Sequence, residues 1–391
     1  MVKDLEIISR GTVEVISPEE LEEKLKRRKP LRVKFGADPT APDIHLGHTV
    51  VLEKLKQFQD LGHQIVFIIG DFTARIGDPS ERSDARKPIS TEIIKDNAKT
   101  YQKQVFKILD KEKTEVVFNS KWFDKMALSD VLELSSHSTV AQMLARADFK
   151  ERFKREIDIS ILEFIYPLLQ AYDSIQVKAD VEIGGTDQKF NLLMGRQLQR
   201  DFNQEPQVII TMPLLEGTDG SRKMSKSYGN YIGITEPPAE MFGKIMSISD
   251  DLMLRYYELL TEENLEQVKK MHPRQAKAKL AKEIVQRYYG ETEARRAEEE
   301  FEKVFVKKEF PGEIKEIKIS EKKIWVVDLL LKSGLATSKN EAKRLISQGS
   351  VKINQKKIKN YDTDLPMDRE YIVQVGRRKF RRIAPFGVDS S

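Results

Sequence analysis

Residues 63–70 read HQIVFIIG, five consecutive large apolar side chains between polar flanks. The run does not alternate, so a strand formed there buries both faces, which places it inside a mainly parallel sheet covered by helices. Parallel neighbours need a helical crossover, and the preceding residues supply one. LRVKFGAD (31–38) has the composition of a strand and is followed by a Pro/Gly loop. HTVVLEKLKQFQDLG then sets Val51, Leu55, Phe58 and Leu61 on one helical face, with Gly62 placed to end the helix. EVVFNS (115–120), KADVEIGG (178–185) and QVIITMPLL (207–215) continue the sheet, with helical segments between them.

The rhythm breaks twice. Residues 121–165 carry amphipathic stretches such as STVAQMLARADFKERF, whose spare apolar positions predict a subunit interface. From Pro237 to about Val306 the pattern is wholly helical, with Thr261 and Thr292 as expected N-caps, and VKKEFPGEIKEIKIS (306–320) reads as a charged linker. The expected fold class is α/β: a doubly wound parallel-sheet (Rossmann-like) domain over 1–232, an all-helical domain with its linker over 233–320, and a small α+β domain over 321–391. A hydrophobic content of 39% in 391 residues suffices for cores in two or three such domains. No internal repeat is evident.

The absence of cysteine excludes disulfides and thiolate metal centres, and five scattered histidines argue against a zinc site, so any metal is expected to come with a substrate. No stretch approaches the roughly 20 apolar residues of a bilayer span. The start, MVKDLEIIS, has Asp4 and Glu6 where a secretory leader is basic and then apolar. A cytoplasmic protein without a membrane partner is expected. The net charge of +5 is unevenly spread: from Glu321 onward 16 Lys/Arg face 8 Asp/Glu, leaving +8 there and −3 on the first 320 residues. A basic terminal module on a near-neutral body points to a polyanion.

The loop leaving the first strand and entering its helix lies at the carboxyl edge, where doubly wound sheets bind nucleotides. Within APDIHLGHTV (41–50), His45, Gly47 and His48 fall at that helix N-terminus. Backbone N–H groups and the helix dipole there favour phosphate, two imidazoles can add hydrogen bonds, and Gly47 leaves room for a flat ligand. Imidazoles that only cap the turn would read the same. Further on, DGSRKMSKSYGN (219–230) contains Lys223 and Lys226 in a loop beginning at Gly220. Such lysines can swing onto a polyphosphate as point charges, although a charge-rich loop is also an ordinary solvated turn.

Together HLGH and KMSKS resemble the paired signatures of class I aminoacyl-tRNA synthetases. GADPTAPDIHLGH, IIGDFTARIGDPS, YPLLQAYDS and IGGTDQKFN are similar, in order and spacing, to the active-site blocks of bacterial tyrosyl-tRNA synthetases, over nearly the whole chain. The resemblance implies a homodimer that uses ATP with magnesium, L-tyrosine and tRNA(Tyr), with no other cofactor and no DNA partner. It implies that His45, His48, Thr40, Lys223, Lys226, Arg82 and Arg86 act on the reacting phosphates. Asp38, Gly47, Gly184, Gly185 and Asp187 would join the two lysines around ATP. Asp78, Tyr166, Gln170 and Gln188 would receive the backbone end of tyrosine, and Asp173 its phenol. Tyr166, Gln170 and Asp173 stand at i, i+4 and i+7, one helical face. The chain departs from the family at Lys34, where many members carry a tyrosine that also touches the phenol, and at Glu81, where a glycine is expected after GDPS. Its KMSKS is the undegenerate form.

TSKNEAKRLISQGSVKINQKKI (337–358) resembles the RNA-binding module shared with ribosomal small-subunit protein four. That implies phosphate contacts from Lys339, Lys343, Arg344, Lys356 and Lys357, against the plainer reading of a surface helix with a lysine-rich hairpin. Tryptophanyl-tRNA synthetase shares the fold and both signatures, and a catalytically inactive RNA-binding paralogue or a simple nucleotidyltransferase are the further alternatives. Asp173, placed for a phenol, disfavours the first, and intact signatures disfavour the second. A nucleotidyltransferase would not need the helical and basic terminal domains.

Overall fold

The computed structural model describes residues 2–27, 29–80, 89–306, 314–376 and 379–385. Its main sheet has six strands, β1 (Glu14–Ile16), β2 (Arg32–Ala37), β3 (Gln64–Ile69), β4 (Thr114–Phe118), β5 (Val181–Gly185) and β6 (Val208–Met212), in the order β1-β6-β5-β2-β3-β4. All neighbours are parallel except β1, which pairs antiparallel to β6 at one edge. That three-residue edge strand is too short and too exposed to leave a periodic signal. Ile65 through Ile69 are all buried, as a strand sandwiched between helices requires. The Leu46–Asp60 helix covers β3 and β5, burying Leu46, Val50, Leu55 and Phe58, and it stops where Gly62 takes φ +89°. The Ile161–Val177 helix packs on β2, and the Lys189–Asp201 helix on β5 and β6.

One feature of the register positions everything that follows. β2 pairs with β3 along its whole length, to Ala37 opposite Ile69, and β5 pairs with β6 as far as Gly185 opposite Met212. Between β2 and β5 the pairing stops after Val33–Val181 and Lys34–Glu182. The sheet therefore parts at its carboxyl edge, between the two strands whose chain directions diverge in topology, which is where such folds open a ligand crevice.

Residues 1–237 and 243–290 form one compact unit, and residues 238–242 with 291–391 a second. In the first, the Asp250–Leu260 and Pro273–Tyr289 helices are tied by the Tyr257 hydroxyl, which donates to the Ala276 carbonyl at 2.7 Å, and Arg287 bonds Glu53 at 2.6 Å. The expected N-caps are corrected here. Thr261 ends the Asp250–Leu260 helix, its hydroxyl donating back to the Tyr257 carbonyl, and Asn264 caps the next helix instead. Thr292 lies inside the Glu291–Phe301 helix. A threonine at a helical boundary serves either end, and the letters do not say which.

The second unit holds β7 (Glu316–Ile319), β8 (Lys323–Trp325), β9 (Val351–Ile353), β10 (Lys356–Lys357), β11 (Asp364–Pro366), β12 (Tyr371–Val375) and β13 (Lys379–Pro385). Five of them form a sheet in the order β10-β9-β12-β13-β7, and β11 pairs with β8. The Val326–Lys332 and Lys339–Ser347 helices bury Val326, Leu330, Ala342 and Ile346 against Val351, Val373 and Ile383. The expected linker is corrected in its second half: β7 pairs parallel with β13, so EIKI is structured. Its charged alternation is that of an edge strand with one face wet. Among the described residues no helix is long and apolar enough to cross a membrane.

The Phe67→Ala substitution, at a fully buried ring in the centre of β3, is expected to lower stability by about 3–5 kcal/mol in a denaturant titration.

Candidate active site

The parting of β2 from β5 opens a cleft of about 320 Å³ lined by Gly36 of β2 with Asp38 and Thr40 beyond it, by Gly184 and Gly185 at the end of β5 with Gln188 beyond them, and by Tyr166, Gln170 and Asp173 from the Ile161–Val177 helix. His48 and Asp78 complete it. The i, i+4, i+7 face predicted from sequence thus does point into one cavity. Both glycines at the end of β5 are close-packed: a Cβ on Gly185 would stand 2.4 Å from Asp187 Oδ1, and one on Gly184 3.2 Å from Gln188 Cβ.

Hydrogen bonds line the wall in two groups, one around Gln188 and Asn191 and one around Asp38 and Asn119. Gln188 Nε2 donates to Asp78 Oδ2 at 2.7 Å and Asn191 Nδ2 donates to Gln170 Oε1 at 2.9 Å. The Tyr166 hydroxyl donates to Asp38 Oδ2 at 2.9 Å, and Thr73 Oγ1 donates to Asp38 Oδ1 at 2.7 Å. Asn119, at the end of β4, donates to Thr73 at 3.0 Å and to Asp173 Oδ2 at 3.3 Å, while the Trp122 indole N–H donates to Asp173 Oδ1 at 2.9 Å. Gly70 is obligatory in this corner, since a Cβ there would lie 2.0 Å from Asp38 Oδ1. Burial pushes the Asp173 carboxyl up to about 7, against the opposing pull of the Lys34 charge and of the Asn119 and Trp122 donors. The Tyr166 phenol is driven well above its ordinary value by burial and by Asp38, so it remains a neutral donor.

The two signatures meet because the chain on either side of them pairs. Leu46 N–H donates to the Ile232 carbonyl at 2.9 Å, Ile234 N–H to the Ile44 carbonyl at 3.1 Å, and His45 bridges Gly233. Asn230 shapes the KMSKS loop by accepting from Ser225 N–H at 2.8 Å and donating to Asp219 at 3.0 Å. Lys226 reaches back to Asp43 at 2.6 Å. His45 and His48 stack with ring centres 3.9 Å apart. His48 Nδ1 accepts from the His45 backbone N–H at 3.3 Å, so its proton resides on Nε2, the donor left for the cleft. Burial depresses His45 to about 2, helped by the His48 and Lys226 charges, and depresses His48 to about 4. His45 Nδ1 is buried and makes no hydrogen bond among the described residues. Capping is therefore part of what His48 does, but it uses only one of the four ring nitrogens. Gly47 makes room for the protein's own ring, since a Cβ on it would stand 3.0 Å from His45.

Asp38, Thr40, His48, Asp78, Tyr166, Gln170, Asp173, Gly184, Gly185 and Gln188 share the cleft. His45 and Gly47 stand at the N-terminal end of the Leu46–Asp60 helix with Lys226 held on Asp43, Lys223 bridges Glu216, and Asp187 packs behind Gly185. Arg82, Arg86 and Glu81 lie outside the described residues. The sequence reading passed over Gly70, Thr73, Asn119 and Trp122. Gly70 and Thr73 belong to the IIGDFTARIGDPS block, and Asn119 follows a parallel strand at its carboxyl end, a position the fold alone marks as functional. It also passed over Arg146, a buried guanidinium from the 121–165 segment bonded to Ser80 Oγ at 2.8 Å and Asn191 Oδ1 at 3.3 Å. In the second unit Arg344, Lys356 and Lys357 are exposed, Lys339 bonds Asp328 at 3.2 Å, and the Lys343 ammonium lies about 5.5 Å from the Trp325 ring and 5.4 Å from that of Tyr361.

Comparison with known proteins agrees with this geometry. The family described as tRNA synthetases class I (W and Y) matches residues 26–306, and the tyrosine–tRNA ligase SYY-like C-terminal domain matches residues 305–383. The chain is 57% identical to a tyrosine–tRNA ligase of Aquifex aeolicus, over 97% of this chain and 98% of that protein. It is 53% identical to that of Thermotoga maritima, over 98% and 97%. The fold is similar to the tyrosyl-tRNA synthetase of Archaeoglobus fulgidus solved with L-tyrosine, with a TM-score of 0.63 and 24% identity over 76% of this chain and 99% of that one.

Because both imidazoles are held below the unfolded value of 6.5, they contribute stability that is present above about pH 6.5 and lost as pH falls through about 4. NMR titration is expected to find His45 and His48 neutral at pH 6, where a solvent-exposed imidazole is mostly protonated.

Proposed function

We propose roles for these residues from one premise: the chain belongs to the tyrosine–tRNA ligase family of class I tRNA synthetases. It activates tyrosine with ATP, releasing pyrophosphate, and transfers the tyrosyl group to tRNA. The first family match covers tryptophan and tyrosine enzymes alike, and the C-terminal domain and full-length relatives decide for tyrosine. The single observation that carries the residue roles is the convergence of the Asp78, Tyr166, Gln170 and Asp173 side chains with His48 on one cleft at the parting of β2 and β5.

In this reading Asp78, Tyr166, Gln170 and Gln188 bind the ammonium end of tyrosine, and Asp173 accepts from the phenol. Phenylalanine would leave Asp173 buried without that partner, which costs the desolvation of a carboxylate. Asp38 and Thr40 lie toward the reacting phosphates, and Gly184, Gly185 and Asp187 toward the ribose. His45 and His48, neutral at the end of the Leu46–Asp60 helix, donate hydrogen bonds to the α-phosphate as the tyrosine carboxylate attacks it. That chemistry depends on positioning and charge stabilisation, with no protein nucleophile. Lys226 exchanges Asp43 for the departing pyrophosphate, joined by Lys223 and by Arg82 and Arg86. Magnesium enters on ATP as part of that substrate. Tyrosine-dependent exchange of pyrophosphate into ATP is expected with tyrosine alone among the twenty amino acids. His48→Ala should slow it roughly 10 to 1000-fold with little change in tyrosine affinity, and comparable turnover with tryptophan would refute the assignment of Asp173.

The functional division is a catalytic region over 1–232, a helical region over 233–320 that reads the anticodon, and a basic region over 321–391. Leu128 and Ile161, 75% and 77% exposed, with Leu132, Val140, Phe153 and Leu162 are exposed large apolar side chains on the 121–165 segment, which supports a homodimer. Sedimentation at micromolar concentration should give twice 45.1 kDa. The setting is the cytoplasm, where tRNA is charged. The exposed Arg344, Lys356 and Lys357, with Lys339 and Lys343, contact tRNA phosphates. Replacing Arg344, Lys356 and Lys357 by Gln should leave pyrophosphate exchange intact, weaken tRNA binding, and flatten its log–log salt dependence by up to about 0.9 per lost contact.

A further inference from the structure

The Lys34 side chain is wholly buried and does not line the cleft. All three of its donors are used: the Gln170 carbonyl at 2.9 Å, Ser174 Oγ at 2.7 Å and Glu182 Oε1 at 2.8 Å. Gln170 and Ser174 flank Asp173 on the Ile161–Val177 helix, and Glu182 sits opposite Lys34 in the last register pair before β2 and β5 part. Ser174 Oγ and Gln207 Nε2 donate to the second Glu182 oxygen. The helix 189–201 comes close enough only because residue 195 is glycine, whose Cβ would meet Gln207 Nε2 at 2.7 Å.

We propose that Lys34, paired with Glu182, is a positioning residue for tyrosine recognition: it bolts the helix turn bearing Gln170 and Asp173 to the sheet and supplies the positive charge behind the phenol-binding carboxylate. The inference rests on Asp173 as the phenol acceptor and adds how this chain keeps that group placed and ionised without a second phenol contact. The charged and titratable groups facing Asp173 are Lys34 from β2, Glu182 from β5 and Tyr166 from its own helix; Asn119 and Trp122 are neutral donors. Among them Lys34 alone is positive, and its charge favours the anion. With the Asp173 carboxyl already lifted to about 7 by burial, loss of Lys34 moves it higher and leaves more of it protonated at neutral pH.

The test uses the full-length enzyme and tyrosine-dependent pyrophosphate exchange across pH. Lys34→Met should raise the KM for tyrosine roughly tenfold or more at pH 7 with the KM for ATP unchanged, and should displace the acid limb of kcat/KM for tyrosine to higher pH. Because a lone buried Glu182 endangers the fold, the decisive protein is Lys34→Met with Glu182→Met, an apolar pair of similar volume. It should melt near the parent temperature, keep an acid limb displaced to higher pH by less than in Lys34→Met, because Glu182 opposes Lys34 at Asp173, and show a reduced preference for tyrosine over phenylalanine. A double variant with the parent acid limb and tyrosine KM would make the pair purely structural and overturn the proposal. Asp173→Asn, run alongside, separates the two readings. If it leaves the tyrosine KM unchanged, the premise fails and the proposal with it; if it raises the KM while the Lys34 variants do not, the proposal alone fails.

Discussion

An ammonium and a carboxylate, both sealed from water, face each other across β2 and β5 at the point where the sheet divides. A buried ion pair repays its desolvation only when every donor and lone pair finds a partner, and removing one member leaves the other charge stranded. Here Lys34 has three acceptors and Glu182 is met on both oxygens. Those partners come from β2, β5, the Ile161–Val177 helix and Gln207 just ahead of β6. The polar knot therefore ties β2, β5 and the Ile161–Val177 helix, which line the cleft, to the residue just ahead of β6, while the apolar core holds the rest of the sheet.

Above that knot the cleft is preorganised. Asp38 already accepts from Thr73 and Tyr166, Asp78 from Gln188, and Asp173 from Asn119 and Trp122. Such carboxylates cannot swing toward a ligand and need not, since each oxygen retains acceptor capacity. Fixed donors and acceptors cost no reorganisation when charge develops. The Asn119 contact links Asp173 to Asp38 through Thr73, so those two carboxylates of the cleft share one set of hydrogen bonds.

The N-terminal end of the Leu46–Asp60 helix follows a different rule. Two buried neutral imidazoles cannot carry positive charge near Lys226, and their depressed pKa values follow from burial and that neighbour. They act as oriented dipoles, while full positive charge is left to lysines on a loop. Lys226 and Asp43 are both partly exposed, which leaves the lysine able to change partners.

The strands, the first crossover helix, the single face bearing Tyr166, Gln170 and Asp173, and the two signatures were readable from residue order, because periodicity of 2 or 3.6 and short contiguous motifs are local properties. The family came from longer blocks of the same local kind. Thr261 and Thr292 were misplaced, and β7 was taken for linker, because caps and edge strands depend on neighbours that local composition does not name. Lys34 could be seen only as a departure. That it is buried against Glu182, 148 positions away, that Asn119 and Trp122 hold Asp173, and that HLGH meets KMSKS through Leu46 and Ile232 are contacts between distant segments. The register decides them, since a one-residue slip of β5 against β2 would turn Glu182 to the opposite face and leave Lys34 buried without its charge partner.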